Sequence, residues 1–92
     1  MEPYNQAEHR IIIRNREDVD ISGIRKVISL EPELVVLETM QDRLTLRGTE
    51  LHAKRVDMEK GEVQLTGNLL GMNYVNKKHK KMLKKYDIKG KM

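Results

Sequence analysis

The residues of this 92-residue chain best suited to proton transfer or metal ligation are His9, His52 and His79. They lie far apart in sequence, and none forms a metal-spaced pair. His52 alternates with Leu51 and Ala53 and has Lys54 close by, a neighbour that repels a cation, so all three histidines read as surface residues. Asp57, Glu59 and Glu62 flank Gly61 and resemble the start of a calcium loop or a carboxylate pair. Their spacing fits neither ligand set, and Lys60 sits among them, which marks a solvated hairpin tip instead. Ser22 and Ser29 have no nucleophile elbow and no histidine nearby, and no glycine-rich phosphate loop occurs. The chain has no cysteine, which removes disulfides, thiolate zinc sites and a thiol nucleophile. No residue asks for a catalytic role, a metal or a cofactor; the chemistry left is that of binding or assembly.

The elements that would carry such a surface are β-strands. From Glu8 onward short β-branched runs alternate apolar and polar residues, with turn signals between them. Ile11 to Ile13 opens the first run and Asn15 to Asp18 turns it. Val19 to Ser22 and Ile24 to Leu30 follow, separated by Gly23. Glu31-Pro32-Glu33 breaks the chain, because Pro32 cannot donate to a ladder. Leu34 to Thr39 is the most apolar run and is expected at the centre of the sheet. Leu44 to Arg47, Leu51 to Met58, Val63 to Thr66 and Leu69 to Val75 complete the set, with a tight hairpin at Gly61 and a bulge at Gly71. About eight short strands with period-2 burial predict an all-β domain over residues 8–76, a small antiparallel sandwich or roll. Three segments share the order apolar, polar, apolar, polar, Gly: Val19 to Gly23, Leu44 to Gly48 and Val63 to Gly67. This is either the ordinary ending of half-buried strands or a sign of internal pseudo-symmetry. Gly23, Gly48, Gly61 and Gly67 are expected to be structural.

With hydrophobic residues at 38% and aromatics at 3%, the core has to be built from Val, Ile, Leu and Met. Residues 1–7 are polar and aperiodic, a loose lead. Apolar runs are far shorter than the roughly 20 residues that span a bilayer, and the N-terminus has no charged-then-apolar signal pattern, so neither crossing nor export is expected. The net charge of +4 is unevenly placed: residues 1–76 hold 10 Lys and Arg against 13 Asp and Glu, whereas residues 77–92 hold 8 Lys against one Asp. At 100° per residue Val75, His79, Met82, Leu83 and Tyr86 share one arc, and Lys77, Lys78, Lys80, Lys81, Lys84 and Lys85 take the rest, the pattern of a short basic amphipathic helix. Such a helix either packs its stripe on the sheet or docks on a protein partner or an anionic membrane surface. The acidic body, the few aromatics and the absence of arginine after residue 76 weigh against a nucleic-acid-binding β-domain, the rival reading of the basic tail. Sheet edges offer a route to a homo-oligomer.

Ile21-Ser22-Gly23-Ile24 with Val27, Val36 to Thr39, Leu44 to Leu51, and Val56 to Val63 together make the chain resemble the YabP/YqfC family of sporulation proteins from endospore-forming bacteria, on the YabP side. The resemblance covers residues 9 to 76 and leaves the lysine tail outside it. It implies a non-enzymatic protein of the mother-cell cytoplasm, needed for assembly of the spore envelope, cortex or coat. It also implies a place beside membrane-embedded sporulation partners; a peripheral position at the forespore outer membrane is expected from the basic tail and not from the resemblance. It brings no catalytic residues.

Overall fold

The computed structural model describes residues 8–76. They form six strands: β1 (Arg10–Arg14), β2 (Asp18–Ser22), β3 (Ile24–Glu31), β4 (Leu34–Thr39), β5 (Asp42–Asp57) and β6 (Glu62–Asn76). All neighbours are antiparallel, in one sheet of order β1-β2-β6-β5-β4-β3. The described residues contain no helix, and the helix expected over residues 77–92 lies outside them, as does the lead at 1–7.

Six strands stand where eight were expected, because two glycines that looked like strand endings are bends. β5 runs through Gly48 and β6 through Gly67, and the two strands stay paired on both sides of the bends. Past the bend each strand loses its outer neighbour. The first half of β6 pairs with β2 and its second half does not; the first half of β5 pairs with β4 and its second half does not. The sheet therefore divides into two halves. One is β1, β2, the start of β6 and the end of β5; the other is β3, β4, the start of β5 and the end of β6.

The inner faces of both halves supply one core. Val19, Ile21, Val63 and Leu65 come from one half and Val35, Leu37, Leu44 and Leu46 from the other, all 2% exposed or less, and Ile24, Leu51 and Leu69 complete the cluster. The molecule is 21 Å across its thin dimension, the thickness of two sheet layers about 10 Å apart with their side chains. The bent single sheet is thus a roll. β4, expected at the centre, sits beside the edge strand; the middle belongs to β5 and β6. The apolar content of β4 reports how well its inner face is covered, which a second-from-edge strand can achieve as fully as a central one.

The two halves are related by an approximate twofold. The pairs Val35/Leu46 and Leu37/Leu44 in one half correspond to Val19/Leu65 and Ile21/Val63 in the other. The bends correspond too: Gly48 N–H donates to the Glu33 carbonyl at 3.2 Å, and Gly67 N–H to the Glu17 carbonyl at 3.1 Å. Two of the three sequence echoes, those ending in Gly48 and Gly67, are therefore equivalent places in the fold. The third, ending in Gly23, closes β2 and has no such counterpart.

Candidate interaction surface

At the bends the requirement for glycine is geometric. A Cβ on Gly67, whose φ is +139°, would lie 2.5 Å from the Glu50 carbonyl oxygen. A Cβ on Gly48 would drive into the carbonyl oxygen of Asn68 across the same strand pair. Gly23 and Gly61 have φ of +73° and +69° and sit against His9 and Ile24 backbone atoms. Gly71 has open space where its side chain would be, and the bulge expected there is formed at Leu70, between the pairs Arg47/Gly71 and Gly48/Leu69.

His9, Asp57 and Glu62, singled out by type, stand apart in the fold and bond within it separately. His9 reaches across the open end of the roll: its Nδ1 is 2.9 Å from the Ser22 carbonyl, which can only accept, so Nδ1 carries the proton. In the neutral ring Nε2 then accepts from the Tyr74 hydroxyl at 2.7 Å, with the rings edge to face. Burial, and secondly the Asp42 carboxylate, raises the Tyr74 phenol above its usual 10.0. Ser22 is occupied as well, since its hydroxyl donates to the Glu8 carbonyl at 2.7 Å. Ser29 stands on β3 opposite Val36. Asp57 Oδ1 accepts from the Glu59 and Lys60 amides and closes the β5–β6 turn, while Arg55 bonds both Asp57 and Glu62. These carboxylates belong to a turn, as their spacing suggests. Among the described residues no three His, Asp or Glu side chains converge on a metal-sized site. His52 is exposed and rims a wide depression over the bends with Glu17, Asp18 and Glu50.

What the surface offers is apolar side chains at strand edges. Ile12 and Ile13 on β1 are about two-fifths exposed, at 41% and 40%. Leu30 on β3, Val56 on β5, and Leu70, Met72, Tyr74 and Val75 on β6 are exposed to a similar or greater degree. A shallow groove of about 220 Å³ crosses the outer face between Arg10, Ile12, Asp20 and Gln64. Sequence reasoning placed Ile11 to Ile13 in a strand but missed that this strand is an edge. The signal was an apolar run with no alternation, bounded by arginines. The contact of His9 with Tyr74, 65 residues apart, has no local signature. Of the residues proposed for docking, Lys77, Lys78, Lys80, Lys81, Met82, Leu83, Lys84, Lys85 and Tyr86 lie outside the described residues, as does His79.

Comparison with known proteins settles the family. The YabP family profile matches residues 5–81, which takes in the whole roll. The chain belongs to the YabP family. It is 35% identical over 69 residues to spore protein YabP of Bacillus subtilis (strain 168), a match covering 75% of this chain and 69% of that protein. The YabP family match runs past Asn76 as far as Lys81, so the first lysines of the tail fall inside the family's pattern, where sequence reading had placed the whole tail outside it.

Proposed function

We propose that the protein acts in sporulation as a non-enzymatic scaffold or adaptor in assembly of the spore envelope, cortex or coat, at the forespore surface. The match to spore protein YabP across the roll carries this reading. The surface just described supports it: apolar side chains at strand edges suit protein contacts, while His9 serves strand closure and Asp57 a turn. In this reading the basic segment after Asn76 holds the roll against the anionic face of a membrane beside membrane-embedded sporulation proteins. Eight lysines there, each contributing about 1 kcal/mol near an anionic bilayer, outweigh the acidic body.

A fluorescent fusion followed through sporulation, with and without residues 77–92, tests the placement. The intact protein should ring the forespore and the truncated one should spread through the mother cell; a diffuse full-length fusion would sink the proposal. In vitro, full-length protein should pellet with anionic vesicles and not neutral ones, less as salt rises, because exposed charges are screened over about 8 to 10 Å. Leu83→Glu should weaken pelleting well beyond its change in charge, since a carboxylate then sits in the apolar arc. Pelleting with nucleic acid and not with anionic vesicles would favour the rival nucleic-acid reading.

A further inference from the structure

β1 and β3 occupy equivalent places at the two ends of the sheet, yet they are built differently. β3 meets β4 with two register shifts and carries exposed Arg25 and Lys26, devices that keep an edge strand from pairing with another chain. β1 has neither. Its register with β2 is unbroken from Arg10 to Arg14, it contains no lysine or proline, and Ile12 and Ile13 are about two-fifths exposed. Among the described residues nothing pairs with its outer edge.

We infer that β1 is the edge through which two copies of this chain pair, antiparallel about a twofold axis at Ile11, joining two rolls into one continuous sheet. Charge order selects a second copy as the occupant. On the outer face the sequence runs Glu8, Arg10, Ile12, Arg14. Pairing about Ile11 sets Glu8 opposite the partner subunit's Arg14, twice by symmetry, and Arg10 opposite the partner subunit's Ile12. Moving the axis to Ile12 sets Arg10 against the partner subunit's Arg14, and moving it to Arg10 sets that arginine against its own copy. Like charges directly opposite are destabilising, so the Ile11 register, which also gains two opposite-charge pairs, is favoured over these. Arg10 and Arg14 are now bonded to Glu8 and Asp20 at 3.1 and 3.3 Å, with both arginine side chains more than half exposed, so each can be shared across the new ladder. Such a short ladder buries less than the roughly 1,200 Å² of standard interfaces, so the dimer is concentration-dependent. This inference is independent of the tail.

The absence of native cysteine makes the register directly testable. In full-length Ile11→Cys the two Cα atoms would lie about 4.5 to 5.5 Å apart, within disulfide range, and mild oxidation should give a covalent dimer. In Ile13→Cys they would be roughly 13 Å apart and no dimer should form. By sedimentation, Arg14→Glu should raise the dimer dissociation constant about tenfold or more, and adding Glu8→Arg should restore it. The charge pair decides the matter even if Ile11→Cys folds poorly. A monomer at every concentration, equal crosslinking at positions 11 and 13, or a dimer indifferent to both charge reversals would each overturn the inference.

Discussion

Gly48 and Gly71 lie in long central strands only a short way apart in the fold, and the same substitution should have opposite signs at the two. At Gly48 a methyl group meets a backbone oxygen that cannot move without opening the β5–β6 ladder, so Gly48→Ala should destabilise by about 2 kcal/mol and Gly48→Val by about 3. At Gly71 a methyl group meets nothing, and Gly71→Ala should stabilise by roughly 0.5 kcal/mol through the unfolded chain's lost freedom. Chemical denaturation of the three variants checks the pair of signs. Tyr74 offers a second measurement. Its phenol is raised first by burial and then by Asp42, so the absorbance titration missing from Tyr74→Phe should have its midpoint above 10.0. Asp42→Asn should lower that midpoint only in part. A raised folded value favours the protonated phenol, so this contribution to stability is present below the unfolded value near 10 and fades as pH climbs through the folded one. The exposed position of His52 was legible from its alternation with Leu51 and Ala53. The closure of His9 on Tyr74 was not, because it depends on two chain ends that only the bent sheet brings together.

Among the elements, the bent strands make one-sided burial measurable. Leu46 is fully buried between Val35 and Met72 in the ladder, while Thr45 points to the opposite face. Leu46→Ala should cost about 2 to 5 kcal/mol and Thr45→Ala under about 1. Equal losses in thermal unfolding would contradict the assigned faces. The β1–β2 hairpin holds a second expectation. Glu17 N–H donates to the Arg14 carbonyl at 2.9 Å, and both central residues, Asn15 and Arg16, have positive φ, the sign a type I′ turn requires. Asn suits that conformation and Arg does not, so Arg16→Gly should stabilise by about 1 kcal/mol, with the Arg16 carbonyl still accepting from Leu69 N–H. The period-2 pattern located the buried faces of β2 and of the first halves of β5 and β6. It could not tell a glycine that ends a strand from one that bends it, since both interrupt the alternation alike. Nor does it carry strand order: Leu34 to Thr39 was expected at the centre as the most apolar run, yet it lies beside the edge strand with its inner residues covered by the facing half of the roll.

For the molecule as a whole, the division into an acidic body and a basic tail was plain from charge order, and the family from motifs spread over the roll. The palindromic strand order was hidden, because the echo of Leu44 to Gly48 in Val63 to Gly67 shows likeness without saying that the copies lie side by side. That order has a consequence in time. β3, β4 and the start of β5 form a meander of sequence neighbours, and their half of the sheet can begin to close over short loops. β2 must instead wait for β6, since Val19 pairs with Leu65 across the whole intervening chain. Loop closure grows dearer with length and distant pairings slow folding. Two halves that are nearly alike in space should therefore form in sequence, with β4 and the start of β5 structured at the folding barrier and β2 joining after it. Conservative truncations should show this in their kinetics: Leu37→Ala should slow folding, and Val19→Ala should chiefly hasten unfolding. As the ribosome delivers β6 last, β1 and β2 spend synthesis without their partner, and the isoleucine edge of β1 is open to other chains before the roll exists to present it.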